Sequence, residues 1–394
     1  MLKNLLLFII VTASLSPAYS RAETLSEQPD KNDELSFIDV KDGMLDVGDY
    51  LSKVYGFLPV PIIITEPAIG YGGGLGLLYF HDKFLGEKSA PGRAIPTSIT
   101  GMFAAATEND TLIGGGVHMG YYVDDTIRTV TFIALTDINI DTYVKDFPIA
   151  SNMNGPVAYQ AVKFRIQDTD LFLGAGYVYT SLGTSLEATI DSPGPGPDIP
   201  VSQEINESIA AVQLILEYDT RDNTLSPSSG YFINMKSNFF SDSVGSDKNF
   251  ERHMLKSFFY IPVTDRLNVN LNISADTIDG DEAPFYSYPF IILRGLPIMA
   301  VQGEHILSSE IELSWDFTDR WSGLVFGGAG KAFGTSQFNK FDTSFSDSPN
   351  IYTKGVGFRY LVARKFGLKV GVDISTSEFD DAFYIQVGSA WAGF

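Results

Sequence analysis

The chain has 394 residues, 44% hydrophobic and 13% aromatic, with 37 Gly, 19 Pro and no Cys. That apolar content excludes a disordered chain, and the missing Cys excludes disulfide frameworks, thiolate zinc sites and cysteine nucleophiles. With 27 basic residues against 48 acidic ones, a formal charge of −21, the chain repels a phosphate backbone, so no nucleic acid is expected as partner.

Residues 1–22 read as a cleaved signal peptide. Lys3 precedes an apolar run from Leu5 to Leu15, and Ala18-Tyr19-Ser20 or Ser20-Arg21-Ala22 supplies small residues for cleavage. Residues 23–56 form an acidic leader, expected as a short periplasmic or lumenal segment. Spacing of Leu45, Tyr50, Leu51 and Val54 suggests a short amphipathic helix around Leu45 to Val54, which Gly48 weakens. Asp39, Asp42 and Asp46 flank Gly43 without the alternate ligand spacing of an EF-hand loop, so turn and capping roles are expected and no metal.

From Phe57 onward the dominant period is two. Leu267, Val269, Leu271, Ile273 and Ala275 alternate with Asn268, Asn270, Asn272, Ser274 and Asp276. Phe366, Leu368, Val370, Val372 and Ile374 alternate likewise with Gly367, Lys369, Gly371, Asp373 and Ser375. Val212, Leu214, Leu216 and Tyr218 form another such face, as do Ile311, Leu313 and Trp315 opposite Glu310, Glu312 and Ser314. One face of each segment meets something apolar and the other something wet.

A soluble sandwich and a membrane barrel both produce that pattern. Strand length favours lipid, because about ten tilted residues cross a bilayer while ordinary strands average nearer six. Aromatics at strand ends (Tyr79, Tyr121, Tyr231, Phe239, Phe258, Tyr260) suit interfacial girdles. Tight turns at 167–170 and 263–266 alternate with segments 140–157, 183–203 and 279–302, expected as long loops.

Candidate strands are 58–65, 70–81, 96–107, 111–123, 126–139, 157–168, 170–182 and 205–219, followed by 230–240, 248–261, 264–278, 303–316, 319–332, 351–362, 365–376 and 383–393. The expected fold is all-β: a transmembrane antiparallel β-barrel of 16 strands over 57–394, with a short helical or irregular N-terminal segment. The first strand is short and holds Pro59 and Pro61, which suits an edge or seam.

No enzyme is expected and no cofactor. His81, His118, His253 and His305 are scattered, without a His-Glu-x-x-His spacing or a Gly-x-Ser-x-Gly elbow. The run Gly70-Tyr71-Gly72-Gly73-Gly74-Leu75-Gly76 lacks dinucleotide-binding spacing and suits close strand packing.

Four stretches resemble the BamA/TamA superfamily of outer-membrane barrels (bacterial surface antigen), in its subgroup without POTRA domains: PVPIIITEPAIGYGGGLGLLYF (59–80), DTRDNTLSPSSGYF (219–232), LRGLP (293–297) and EIELSWDFTDRWSGLVFGGAG (310–330). The resemblance implies a sixth extracellular loop folded into the lumen, where Arg294 and Gly295 meet Glu312 on the twelfth strand. It makes Asp219, Arg221, Asp222 and Gly230 a periplasmic turn motif. The family's second acidic position is here Gly328, so one expected partner of the loop arginine is missing. Phe394 resembles the family's terminal aromatic, although the apolar face Phe383, Ile385, Val387 and Trp391 has the opposite parity.

By this resemblance the chain sits in the outer membrane of a Gram-negative bacterium, surrounded by lipid and lipopolysaccharide and put there by the barrel assembly machinery. A role in inserting or translocating membrane proteins or lipids is implied, with those clients as partners. A passive solute channel or a purely structural barrel is the alternative.

Overall fold

The computed structural model describes residues 36–53, 56–81, 88–89, 93–94, 97–144, 147–190, 199–336 and 339–391. Residues 1–22, expected as a signal peptide, the first part of the leader (23–35) and Phe394 lie outside the described residues. Sixteen antiparallel strands form a nearly closed barrel. They are β1 (Gly56–Ile64), β2 (Gly72–Phe80), β3 (Ile99–Thr107), β4 (Leu112–Tyr122), β5 (Ile127–Val144), β6 (Phe147–Arg165), β7 (Leu171–Ile190) and β8 (Ile199–Asp219). The second half comprises β9 (Gly230–Phe240), β10 (Phe250–Pro262), β11 (Leu267–Asp279), β12 (His305–Asp316), β13 (Trp321–Ser336), β14 (Ile351–Ala363), β15 (Leu368–Ser377) and β16 (Asp381–Val387). Each candidate segment of the sequence corresponds to one of them.

Every strand pairs with its sequence neighbour, from Gly56↔Phe80 in the first hairpin to Thr376↔Asp381 in the last. Among the described residues no backbone ladder joins β1 to β16, so the cylinder has a seam there. The glycines of β2 allow close approach: a Cβ on Gly74 would lie 2.1 Å from the Ala104 carbonyl oxygen.

The alternation resolves into two surfaces. Ile133, Leu135, Leu173, Leu214, Ile311, Leu313, Val325, Val356 and Ile374 point outward and are exposed, a continuous apolar belt. Their alternates turn inward and are buried, polar near the end with the tight turns (Lys163, Glu217, Asn234, Asn270) and apolar near the other (Ile113, Val117, Phe132, Ile138, Met153, Leu182). Loop 280–304 explains the apolar part. It folds into the barrel, and Phe285, Tyr286, Tyr288, Phe290 and Met299 pack against that wall.

Segments 140–157 and 183–203 are not loops over most of their length. β5 pairs with β6 as far as Val144↔Phe147, and β7 with β8 as far as Ile190↔Ile199. Strands of 18 to 21 residues result. At about 3.3 Å per residue they rise roughly 60–70 Å, well over what hydrocarbon requires, so these hairpins project beyond the membrane at the loop end. Polar composition had suggested loops there, but a ladder satisfies the backbone of a water-exposed hairpin equally well.

The last strand also departs from expectation, ending at Val387 rather than running to 393. Gly388 has φ +79°, and a Cβ there would strike the Leu225 carbonyl oxygen at 2.2 Å. The chain turns inward at that point, which carries Trp391 off the outer face and buries it in the lumen. Trp391 therefore does not share the outer face assigned to it with Phe383, Ile385 and Val387.

At the turn end, connection 220–229 crosses the mouth. Asn223 Nδ2 donates to the Phe366 carbonyl at 2.7 Å, and the Leu225 carbonyl accepts from the Ser389 amide at 2.7 Å. The leader docks beside it. Residues 37–46 form a small hairpin bridged at Ile38↔Leu45, and the helix α1 (Gly48–Lys53) follows. Leu51 packs on Ala363, Phe366 and Leu368, and Tyr50 reaches both that group and Leu58 and Val60 of β1. The helix thus bridges the seam from one side to the other.

Candidate functional site: a loop anchor inside the lumen

The site begins with a backbone requirement. Gly295 holds φ +92°, and a Cβ would approach Ser375 Oγ at 3.0 Å, so this turn of the loop admits glycine. Its amide donates to the Tyr384 hydroxyl on β16 at 3.1 Å. The turn aims Arg294 at the inner wall. Its guanidinium lies 2.8 Å from Glu310, 2.9 Å from Glu312 and 2.9 Å from Asp373, with its carbon 3.5 Å from the Phe326 ring centroid. Three carboxylates and an aromatic face therefore surround one buried cation, the environment a guanidinium needs once bulk water is excluded.

The Arg294–Glu312 pairing drawn from the resemblance is present. The missing partner is not left vacant: Glu310 and Asp373 take its place. Glu310 lies two residues before Glu312 on the same inward face of β12, and Asp373 is inward on β15. An acid at position 328 would have to displace its neighbours, because a Cβ there would meet Leu293 Cδ2 and Thr353 Oγ1 at 2.8 Å each. Arg359 donates to both Asp373 oxygens, at 2.5 and 2.9 Å, which balances the extra carboxylate. Trp391 Nε1 donates to Glu310 at 2.8 Å, tying the chain's end into the same cluster. Sequence reasoning missed Glu310, Asp373, Arg359 and Trp391. The Glu-x-Glu alternation of β12 carried the signal for the first.

The turn motif forms a second cluster. Asp219 accepts from Arg221 at 2.9 Å and lies 3.5 Å from Arg128. Asp222 closes the turn by accepting from the Ser228 and Ser229 amides at 2.9 and 3.1 Å. Gly230 holds φ +100°, with the Thr220 carbonyl oxygen 2.3 Å from where a Cβ would be. Arg128, Lys163 and Asn234 converge on Glu217, at 3.2, 2.7 and 2.9 Å. Stacked rings connect the two clusters: Arg221 lies over Phe232, Phe232 stacks on Phe258, and Phe258 on Trp391.

Two other expectations change. Asp39, Asp42 and Asp46 are not simply turn carboxylates in solvent; they surround Arg320 at 2.5, 2.6 and 2.7 Å, and Asp39 and Asp42 also hold Arg364. Arg320 and Arg364 hold the Asp42 carboxyl well below the usual carboxylate range. Two of the four histidines meet, since Thr100 Oγ1 lies 2.8 Å from His81 Nε2 and from His118 Nδ1. Among the described residues no group of three or more potential ligands could hold a metal ion.

Residues 113–290 match the Omp85 superfamily domain. Among solved structures, BamA from Haemophilus ducreyi lacking POTRA domains 1–3 aligns at TM-score 0.57 with 11% identity, over 85% of this chain and 70% of that one. CdiB from Escherichia coli aligns at 0.57 with 10% identity, over 84% of this chain, which spans 61% of CdiB's length. CdiB from Acinetobacter baumannii aligns at 0.50 with 8% identity, over 84% and 59%. No curated protein matches the chain in sequence. The chain thus carries a segment similar to the Omp85 superfamily domain, within a 16-stranded barrel of the fold seen in BamA and CdiB.

Proposed function

We propose that the barrel helps insert or translocate membrane proteins or lipids at the outer membrane, acting through its seam and not as an enzyme. The observation that carries this reading is how the seam is held. Among the described residues no ladder joins β1 to β16; the bridging contacts come from other parts of the chain. Loop 280–304 reaches β16 through the Gly295 amide and the β1–β2 turn through the Ile298 amide, which donates to Glu66 at 3.1 Å. The helix α1 spans the same gap at the turn end. Side-chain and loop contacts separate at lower cost than a strand ladder, whose every backbone group then needs a new partner. Client strands or lipid are the partners of such an opening, with the surrounding outer-membrane lipid and lipopolysaccharide as the receiving phase.

The chain has no cysteine, so a panel of paired cysteines, one on β1 and one on β16, tests the idea directly. Reconstituted protein is expected to accelerate membrane insertion of an unfolded outer-membrane barrel when reduced and to lose that effect when the pair is oxidised. Acceleration that survives oxidation overturns the proposal. Ion conductance unaffected by the lock would instead favour the solute channel.

A further inference from the structure

The leader hairpin has two unlike faces. Asp39 and Asp46 point one way and, with Asp42 at the bend, are neutralised by Arg320 and Arg364. Ile38 and Leu45, directly cross-strand, lie on the other, and Val40 stands fully exposed at the start of the bend. These three are bare: relative exposures are 53% for Ile38, 51% for Leu45 and 102% for Val40. A solvated leader has no reason to present its aliphatic side chains while turning its carboxylates onto guanidinium groups.

The position of the hairpin identifies what covers them. Tyr360 belongs to the outward face of β14, with exposed Tyr352, Val356 and Phe358. Its hydroxyl donates to the Leu45 carbonyl at 2.6 Å, and its ring lies 4.7 Å from that of Trp321. The hairpin therefore rests on the outer rim of the barrel, at the aromatic girdle, and its bare face continues the lipid-facing belt. The preceding segment, 23–35, carries Glu23, Glu27, Asp30, Asp33 and Glu34, which does not suit it as an apolar cover.

We propose that residues 37–46 are a membrane-interface anchor, with Ile38, Val40 and Leu45 embedded at the glycerol level of the phospholipid leaflet around the turn end. Pairing of the three carboxylates is what permits it, since unpaired acids are costly at that depth. The anchor would fix the leader, and with it α1, against both protein and lipid.

Single cysteines at Val40, Ile311 and Ser228, labelled with an environment-sensitive fluorophore in the otherwise cysteine-free chain, provide the test. The protein is reconstituted in phosphatidylethanolamine–phosphatidylglycerol vesicles containing a lipid with a nitroxide near the glycerol end of its acyl chain. The Val40→Cys label is expected to be blue-shifted and quenched like the belt position Ile311→Cys, while Ser228→Cys in the mouth turn stays unquenched. A Val40→Cys label as unquenched as Ser228→Cys overturns the proposal. So does efficient disulfide formation between two copies of Val40→Cys without quenching, which would make a second chain the occupant.

Discussion

Trp391 donates its indole N–H to Glu310, the carboxylate that also pairs with Arg294, so the end of the chain and the longest loop meet on one buried side chain. Through it, the strand on one side of the seam and the loop that bridges the seam share an anchor. The two are expected to loosen together.

Replacing Arg294 by Ala leaves Glu310, Glu312 and Asp373 buried around a missing cation. Breaking a buried pair in this way costs about 3–5 kcal/mol. Arg294→Ala is expected to lower the unfolding midpoint in detergent and expose loop 280–304 to protease. Glu312→Gln should cost less than Glu310→Gln, because Glu310 also holds Trp391 and is the more deeply buried. Thermal unfolding followed by gel mobility and tryptophan emission checks both orderings.

Gly328→Asp, which places the acid that the resemblance implied for this position, is expected to destabilise this barrel. The new side chain must displace Leu293 and crowd Thr353, and it adds a carboxylate where Glu310 and Asp373 already satisfy the cation. Leu293→Ala opens that space, so the double variant should recover part of the loss. Additive effects in the double-mutant cycle would show that the two side chains do not compete.

Burial pushes the Glu66 carboxyl up to about 7 and Asp380 adds to the effect, against the opposing Ile298 and Ala68 amides. The protonated form therefore suits the folded state. Stability from this group is full below the unfolded carboxylate value near 4.5, declines as pH rises toward 7, and is lost above it. The difference is on the order of 3 kcal/mol. Unfolding midpoints measured from pH 5 to 8 should fall, and Glu66→Gln should flatten that slope.

The leader clamp has the opposite sign. A Lys41 amide and Arg364 lower Asp39, and Arg320 lowers Asp42, so docking is present at neutral pH and is lost only in acid more extreme than the ordinary carboxylate range. Arg320→Ala is expected to release residues 36–53 to limited proteolysis at pH 7 while the barrel stays heat-modifiable. A leader still protected in that variant would show that the Leu51 and Tyr50 contacts suffice alone.

Much of this architecture was legible in the chain itself. Alternation such as Leu267 to Asp276 reports directly which side chains meet lipid, because a strand's period is two regardless of what surrounds it. The same parity placed Glu312 inside. What the sequence determined by itself was therefore the class of fold, the number of strands and the inward or outward face of most residues. The tertiary structure decided which inward residues meet. Glu310 and Asp373 stand 63 positions apart and share Arg294 only because the cylinder and the infolded loop bring them to one point. Trp391 left the outer face through a glycine turn that no periodicity records, and the leader's carboxylates found guanidinium groups some 280 to 320 residues away. Local pattern encodes orientation along a strand; contact across a lumen depends on closure, which is a property of the whole chain.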